Sequence, residues 1–320
     1  MNFEKIPPVE TPKELLDIAF RKAREKVTKK DFKGKPAERA RDKGRVKIDI
    51  SAGYIQSRLR KSMKDFPSFD HLPEFYVKLI DLTLDLGALK KSLAALNWAE
   101  GKILFFQRTY SKKVSAAREY ETIQKQTKEF YGRVSSVLKQ IKNNIEYLNE
   151  CRKIMKTYPD IKDRFTVCLY GFPNVGKSTL LNKLTGTNAK TAAYSFTTKS
   201  INCGFLDGES PKKETAIQVL DVPGTLARKE KMNLIELQAE LVLEELANLV
   251  VYVFDATETF PLKDQIKLYQ KAKKKRPTIA YLSKQDILSK EQFSEFSKTL
   301  PEVEVISFEK LREQILSKRR

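Results

Sequence analysis

The stretch LYGFPNVGKSTLLNKLTG, residues 169–186, decides how the second half of this chain folds. Its segment GFPNVGKS matches the pattern G-x-x-x-x-G-K-[ST]. An apolar run at 165–170 precedes the segment and a run with helical periodicity follows it. A strand, a glycine loop and a helix in this order form a phosphate-binding loop. The stretch therefore predicts an α/β domain whose first strand leads into a nucleotide site.

The glycine loop also predicts which residues hold the phosphates. Two glycines let the backbone turn, so that successive N–H groups converge on an anion at the positive amino end of a helix. We expect Lys177 to reach the β and γ phosphates and the Ser178 hydroxyl to bind Mg²⁺. The expected nucleotide contacts here are Gly171, Pro173, Asn174, Val175, Gly176, Lys177, Ser178 and Thr179.

Two motifs downstream complete the expected phosphate end of the site. The segment VLDVPG ends a strand, and we expect Asp221 to hold Mg²⁺ through water and the Gly224 amide to bond the γ phosphate. The segment YSFTT, residues 194–198, offers a threonine hydroxyl to the metal when the γ phosphate is present, and we prefer Thr198 to Thr197. The predicted catalytic residues are Lys177, Thr198 and Gly224.

The segment YLSKQD, at the end of a predicted strand, indicates which base is bound. Asp286 can accept hydrogen bonds from N1–H and the exocyclic amine of guanine, whereas adenine has no such amine. The stem of Lys284 is expected to pack over the purine. Ser283 replaces the asparagine of the usual N-K-x-D pattern, so we expect a lost brace to the phosphate loop and weaker binding. Near the last predicted strand, Ser307 and its neighbours are expected to contact the guanine carbonyl through backbone.

Turnover is expected to be slow. Many signalling GTPases place a glutamine directly after D-x-x-G to orient water, but Thr225 and Leu226 follow Gly224 here. Asn174 matches the asparagine with which some phosphate loops hold K⁺, an ion that would neutralise developing charge on the transferred phosphate. We therefore expect stimulation by K⁺ over Na⁺. His71, the single histidine, is expected to be structural, so no histidine base is assigned.

The apolar pattern predicts two domains that meet near residue 160. Before it, apolar side chains recur at helical spacing, and residues 75–107 predict two helices broken near Gly87. One long helix is predicted to carry the stripe Val134, Val137, Leu138, Ile141, Ile145, Leu148 and Cys151. After residue 160, the strand candidates AIQVLDV, LVVYVFDA, PTIAYLS and EVEVISF alternate with helical segments.

This alternation predicts an α+β protein of two domains. Residues 1–160 are expected to form a basic arm and an antiparallel helical bundle, and residues 161–320 a P-loop GTPase domain with a mostly parallel sheet. Trp98, Phe105 and Phe106 in the bundle are expected to lie in its core rather than to stack on bases.

Positive charge is concentrated in the helical half. The chain has 61 Lys and Arg against 41 Asp and Glu, a net charge of +20 at pH 7, which favours a polyanionic partner such as nucleic acid. Residues 1–160 have 35 basic and 21 acidic side chains. Residues 21–47 have 13 basic and 4 acidic side chains, with no large apolar face after Val27. This arm is interpreted either as solvated and partly disordered or as anion-binding.

The cysteines and the apolar runs bear on location. Cys151, Cys168 and Cys203 are too widely spaced for a zinc pattern and odd in number, which favours reduced thiols in an intracellular protein. The amino terminus has no signal-peptide pattern, and the longest apolar run, residues 246–254, is too short to cross a bilayer. We therefore expect a soluble, cytoplasmic protein without a membrane partner.

Several segments together resemble a known family. GFPNVGKSTLLNKLT, AYSFTTKSINCG and DVPGTL are similar to the Obg-related translation-factor GTPases. VETPKELLDIAFRKA, FPSFDHLPEFYVKLIDLTLD and ALNWA, in this order, resemble the Nog1 family, also called nucleolar GTP-binding protein 1. The resemblance covers almost the whole chain. Eukaryotic members continue well past the GTPase domain, whereas this chain stops after SKRR, so it resembles the short, archaeal type.

The resemblance implies a function and partners. It implies a helical bundle joined to a GTPase that binds GTP or GDP with Mg²⁺ and acts in assembly of the large ribosomal subunit. The implied partners are large-subunit rRNA or a precursor particle, with ribosomal or assembly proteins, and we expect a monomer. Two alternatives stay open: a GTPase of tRNA modification or membrane recruitment, and a nucleotide-gated scaffold with negligible hydrolysis.

Overall fold

A computed structural model describes residues 3–186, 201–206, 213, 215–225, 234–257 and 260–319. These residues divide into two compact units. The helical unit consists of Lys5–His71 and Leu84–Lys156. The α/β unit consists of Leu72–Thr83 and the described residues from Thr157 onward, together with Phe3 and Glu4. Among the described residues, no helix is both long and apolar enough to cross a membrane.

The helical unit contains five α-helices and a short 3-10 helix, Phe69–His71, in which His71 is exposed. The α-helices are α1 (Pro12–Lys29), α2 (Pro36–Asp65), α4 (Leu86–Ala116), α5 (Tyr120–Gln140) and α6 (Lys142–Met155). Helix α2 packs against α1, α4 and α5, and α4 packs against α5 and α6. The expected stripe from Val134 to Cys151 is buried, but the single long helix predicted for it is wrong. Ile141, with φ −93° and ψ 8°, separates α5 from α6.

Most of the basic segment 21–47 is helical, in α1 up to Lys29 and in α2 from Pro36, which differs from the interpretation as a partly disordered arm. A capping box between Thr11 and Glu14 starts α1, and Pro36 occupies the first turn of α2. The buried residues on the helical parts of this segment are small: Ala23, Ala40 and Gly44. A Cβ on Gly44 would lie 3.1 Å from Val114 Cγ1. Alanine and glycine do not form an apolar stripe that is recognisable in a sequence, so the close packing of these helices was not predicted.

The sheet of the α/β unit has the strand order β2-β3-β1-β4-β5. The strands are β1 (Thr166–Tyr170), β2 (Asn202–Phe205), β3 (Gln218–Asp221), β4 (Leu249–Phe254) and β5 (Thr278–Leu282). All neighbouring strands run parallel except β2, which is antiparallel to β3. The prediction of a mostly parallel sheet is therefore confirmed. The covering helices are α7 (Lys177–Thr185), α8 (Leu234–Glu245), α9 (Leu262–Lys275), α10 (Lys290–Thr299) and α11 (Phe308–Lys318).

Two strand assignments from the sequence differ from the structure. The run EVEVISF was predicted as a strand, but residues 302–307 form none. Its buried side chains, Val303 and Ile306, lie three residues apart, which is not the alternation of a half-buried strand. Strand β2 was not predicted, because residues 202–205 are only partly buried and carry no apolar run.

Helix α3 (Glu74–Thr83) belongs to the α/β unit, although it precedes α4 in the chain. The Tyr76 hydroxyl donates a 2.7 Å hydrogen bond to the Pro159 carbonyl, and the ring of Phe3 packs edge-on against Tyr76. Lys78 pairs with Glu245 of α8 at 2.7 Å. The α/β unit therefore includes one helix from before residue 160.

Candidate functional site

The loop between β1 and α7 has the backbone of an anion cradle. Gly176 has φ +91° and Gly171 has φ +149°, and Asn174 is a non-glycine residue at φ +60°. A Cβ on Gly171 would lie 2.6 Å from the Val253 carbonyl oxygen, so only glycine fits there. Helix α7 begins at Lys177, directly after this turn. The unpaired N–H groups of its first turn therefore point into the loop, where they favour an anion.

Lys177 lies inside this loop rather than in solvent. Its side chain is 6 % exposed, and its ammonium group donates to the carbonyls of Gly171 at 3.2 Å and Phe172 at 2.6 Å. A buried ammonium so close to a ring of backbone amides gives the cradle positive charge. Ser178 and Thr179, the next residues of α7, are exposed.

Ser178, Asp221 and Asn202 form a cluster beside the cradle. The Ser178 hydroxyl donates to Asp221 Oδ2 at 2.5 Å, and Asn202 Nδ2 donates to the same oxygen at 3.3 Å. Burial raises the pKa of Asp221, while the Ser178 hydrogen bond and the charge of Lys177 oppose this change. Asn202 was not predicted from the sequence. It faces Asp221 because β2 pairs antiparallel with β3 in the register Asn202–Asp221.

The loop after β3 abuts the phosphate loop. The Thr225 N–H donates to the Gly171 carbonyl at 3.3 Å. A Cβ on Gly224 would lie 2.4 Å from the backbone nitrogen of Pro173 and 2.5 Å from its Cα. The two phosphate motifs therefore form one structure with no space for a methyl group between them. Thr197, Thr198 and Leu226 lie outside the described residues.

Ser283 braces the phosphate loop, so the expectation that this brace is lost is wrong. Its hydroxyl lies 2.7 Å from the Val175 carbonyl and 2.8 Å from the Phe254 carbonyl, and its side chain is buried. A Cβ on Gly176 would lie 3.5 Å from Ser283 Cβ. The loop therefore lies within reach of the short serine side chain.

Lys284 forms an ion pair with Asp255 at the end of β4. Its ammonium lies 2.6 Å from Asp255 Oδ2, and the Asp255 side chain is 1 % exposed. Burial by itself would raise the pKa of Asp255, but hydrogen bonds from Lys284 and Thr257 outweigh it and hold that pKa below its ordinary value. Asp255 was not predicted from the sequence, although it is a carboxylate directly after the apolar run LVVYVF.

The remaining residues of the SKQD segment lie in a turn. Asp286 is exposed in this turn. Gln285 donates to the carbonyls of Leu282 at 2.7 Å and Ile306 at 3.2 Å, which joins this turn to the segment before Ser307. The Ser307 hydroxyl accepts from the Lys310 N–H at 3.2 Å and caps α11. Its side chain is therefore structural, and only its backbone is left for the expected base contact.

The donors present fit a nucleotide bound with a divalent cation. A hydroxyl and a carboxylate, from Ser178 and Asp221, are the oxygen ligands that Mg²⁺ prefers. Gly171 has no space for a side chain, and Gly176 has a positive φ that favours glycine, so the backbone of the loop is free to approach a phosphate.

Comparison with known proteins assigns the chain to a family. A family model described as the NOG1 N-terminal helical domain matches residues 3–162. The chain belongs to the NOG1 family. A second model, described as a 50S ribosome-binding GTPase, matches residues 166–284. This NOG1 chain therefore carries a GTPase domain, and the second match ends before Asp286 and Ser307.

Individual relatives agree with this assignment. An uncharacterized protein of Methanocaldococcus jannaschii is 35% identical, over 91% of this chain and 82% of that protein. Nucleolar GTP-binding protein 1 of Drosophila melanogaster is 31% identical over 92% of this chain and 46% of its own length. The Saccharomyces cerevisiae protein of that name is 26% identical over 96% of this chain and 49% of its own length. This NOG1 chain thus spans about half the length of its nucleolar relatives.

A solved structure similar to this NOG1 chain is Aquifex aeolicus Era bound to GDP and AlF4−. It is 27% identical over 48% of this chain and 56% of Era, with a TM-score of 0.37. That score is too low to add to the family assignment.

Proposed function

We propose that this chain is a GTP-hydrolysing switch in the assembly of the large ribosomal subunit, with its helical unit bound to ribosomal RNA. The observation that carries the nucleotide part is the cluster of Lys177, Ser178 and Asp221 at the start of α7. The ribosomal part is supported by the NOG1 helical match and by relatives named nucleolar GTP-binding protein 1.

The phosphate end binds the triphosphate through backbone and one lysine. The N–H groups from Asn174 to Ser178 donate to the phosphate oxygens, and Lys177 neutralises charge on the β and γ phosphates. Ser178, and Asp221 through water, would hold Mg²⁺, and the ion would neutralise charge that develops on the phosphate oxygens. The Gly224 amide donates to the γ phosphate, and Thr198 supplies a hydroxyl when that phosphate is present.

The base end selects guanine. Asp286 accepts from N1–H and the exocyclic amine, and adenine leaves this carboxylate unpaired. The stem of Lys284 covers the purine ring while its ammonium group is held by Asp255. Ser283 and Gln285 fix the turn that presents Asp286. The backbone at Ser307, next to the Ile306 carbonyl that Gln285 bonds, supplies a second contact for the base.

Hydrolysis in this proposal is slow without a partner. Thr225 follows Gly224 where a water-orienting glutamine stands in many GTPases. Asn174 is exposed on the loop, where its side-chain oxygen is accessible to K⁺. We expect faster turnover in K⁺ than in Na⁺, and Asn174→Gly, which keeps the positive φ, should remove the difference. Equal wild-type rates in the two salts would contradict this role for K⁺.

The rRNA part of the proposal is supported by the charge of α1 and α2. Most basic side chains of residues 21–47 are exposed on these helices. Binding through them should release counterions from RNA and weaken steeply with salt. Because these helices are already folded, the binding surface is preorganised.

Single-turnover hydrolysis with and without large-subunit precursor particles tests the proposal. We expect the particles to accelerate hydrolysis, and GTP to retain the protein on sedimenting particles better than GDP. Lys177→Ala, which removes the phosphate lysine, is the matched control and should give neither effect. Hydrolysis that stays negligible while GTP still controls sedimentation would favour the scaffold alternative. Preference for ATP over GTP in calorimetry, or no difference between GTP and GDP on particles, would overturn the switch.

A further inference from the structure

One face of α4 exposes aromatic rings. Trp98 is 42% exposed and Phe105 is 59% exposed, so the expectation that both lie in the core is wrong, while Phe106 is partly buried. Seven residues separate the two rings, which is close to two helical turns. They therefore lie on the same side of α4, about 10 Å apart along its axis.

Basic side chains lie before, between and after these two rings along α4. Lys91 and Lys112 lie seven residues before Trp98 and seven after Phe105, and Lys102 and Arg108 flank the same line. These four side chains are exposed, and none forms an ion pair with another residue in the described part of the chain. Glu100, the single acidic residue between Leu86 and Ala116, is paired with Arg60 at 2.5 Å. We call Lys91, Trp98, Lys102, Phe105, Arg108 and Lys112 the aromatic-basic face.

The ring of Phe105 packs against other aromatic rings that lead into the core. Its centroid lies 5.7 Å from that of Phe106, and Phe106 lies 6.3 Å from Tyr110. Tyr110 in turn lies 6.1 Å from Phe130, which is fully buried. A chain of aromatic contacts thus connects an exposed ring to the core, which restrains its orientation without covering it.

The aromatic-basic face continues into a shallow groove. Arg45, Ser111, Lys112, Ser115 and Ala116 line this groove, whose volume is about 450 Å³. Lys112 belongs to both surfaces. Asp49 lies beside the groove, where its carboxylate accepts from Gln107 at 3.0 Å and Ser111 at 3.4 Å. The groove therefore presents two cations and two hydroxyls next to a carboxylate that already accepts hydrogen bonds.

We propose that the aromatic-basic face binds a single-stranded segment of RNA, with bases stacked on Trp98 and Phe105 and phosphates on the surrounding lysines and arginine. This inference rests on the proposed rRNA binding and names where and how it occurs. Unpaired bases stack on aromatic side chains, whereas paired bases in a duplex have no free faces. The groove beyond Lys112 receives the phosphates that follow the stacked bases.

A helix of a protein partner fits this face less well. Packing against a second helix needs apolar residues at alternating spacings of three and four along the seam. Between and after the two rings those positions hold Gly101, Lys102, Arg108 and Thr109. The two rings are thus isolated apolar positions in a cationic surface, which suits a nucleic acid.

Trp98 is the single tryptophan of the chain, so its own fluorescence reports on this face. The full chain is titrated with single-stranded oligo(rA), and separately with an RNA duplex of equal length. Stacking on the indole should quench Trp98 emission with the single strand. The duplex, whose phosphates contact only the basic side chains, should leave the Trp98 emission nearly unchanged.

Variants separate stacking from charge. Phe105→Ala should weaken oligo(rA) binding about tenfold, and Phe105→Tyr should restore it, because any aromatic ring stacks. Lys102→Gln should lower the slope of log affinity against log salt by about 0.7. Phe293→Ala is the matched control, since Phe293 is 43% exposed on α10 and should leave binding unchanged. Thermal melting of Phe105→Ala should match the wild type, because this ring is exposed.

The outcomes distinguish this inference from the proposed function. If large-subunit RNA binds with a steep salt dependence while Trp98 emission and Phe105→Ala affinity stay unchanged, the stacking face is overturned and rRNA binding stands. If oligo(rA) quenches Trp98 but large-subunit RNA is not bound, the stacking face stands and the ribosomal assignment fails. If ribosomal proteins freed of RNA change Trp98 emission and oligo(rA) does not, the face is a protein interface and the inference fails.

Discussion

The two ends of the nucleotide site are built in different ways. At the phosphate end, the proposed recognition elements are backbone amides, positioned by Gly171 and Gly224, where a side chain would collide, and by Gly176 at φ +91°. At the base end, the elements are side chains: Asp286 is exposed on a turn that Ser283 and Gln285 hold in place. Backbone contacts depend on close packing, whereas side-chain contacts can be exchanged one at a time.

This difference predicts how each end responds to substitution. A change that displaces the backbone at the phosphate end should disable every contact with the triphosphate at once. A change at the base end should alter the choice of base or the strength of binding in steps. Substitutions that give graded effects at the phosphate end, or complete loss at the base end, would break the comparison.

The largest effect is expected for Gly224→Ala. The new methyl group would lie 2.4 Å from the backbone nitrogen of Pro173, so one of the two phosphate loops must move. We expect GTP hydrolysis to fall by roughly a thousandfold, as when a transition-state donor is lost. Single-turnover kinetics measures this. Gly53→Ala is the control, because a Cβ there meets nothing within 4 Å. Near-normal hydrolysis by Gly224→Ala would show that the loops are not tightly packed.

Asp286→Asn should have the next largest effect, and it should change the choice of base. An amide cannot accept from both donors of guanine, but its NH₂ can donate to the carbonyl that xanthine has in place of the guanine amine. We expect GTP affinity to fall roughly 100-fold while xanthosine triphosphate binding improves. Calorimetry with both nucleotides tests this. Equal loss for both would mean that Asp286 supports the turn rather than reads the base.

Lys284→Ala should destabilise the α/β unit by about 2 kcal/mol, because it leaves the buried Asp255 without its cation. The pKa of Asp255 in the folded state lies below its ordinary value of 3.8. The contribution of Lys284 is therefore complete at neutral pH and is lost as the pH falls through that lowered pKa.

Thermal melting at several pH values tests this prediction. The difference in Tm between wild type and Lys284→Ala should be large at neutral pH and should shrink in acid. Lys267→Ala is the control, because its exposed pair with Asp264 should contribute under about 1 kcal/mol. A difference that is independent of pH would exclude Asp255 as the cause.

The same contrast explains what could be predicted from the sequence. The phosphate loop, with its flanking strand and helix, was predicted because a fixed backbone shape demands glycine, lysine and serine at fixed spacing. The supporting contacts of Asn202 and Gln285 were not predicted, since they depend on the antiparallel pairing of β2 and on the approach of Ile306 to the SKQD turn. No local sequence pattern indicates either of these contacts.

In the helical unit, prediction failed for a different reason. Apolar periodicity identified the buried stripe from Val134 to Cys151, because large side chains mark their own face. Helix pairs that pack through Ala23, Ala40 and Gly44 leave no such mark, so the basic segment was taken for an arm. The prediction that Trp98 lies in the core failed for the opposite reason. Its side chain is large and apolar but exposed, which composition cannot indicate.

Ser283→Ala should have the smallest effect, and it sharpens the comparison because Ser283 lies where the two ends meet. The substitution removes the hydroxyl donor from the Val175 carbonyl while the Ser283 N–H still donates to Phe254 at 2.9 Å. One buried hydrogen bond is lost without a steric change, so we expect a cost of about 1 kcal/mol, or roughly fivefold in GTP affinity. Ser283→Thr, which keeps the hydroxyl, is the matched control. If the loss appears equally for GTP and for xanthosine triphosphate, the brace serves the phosphate loop; a loss confined to GTP would place it with base recognition instead.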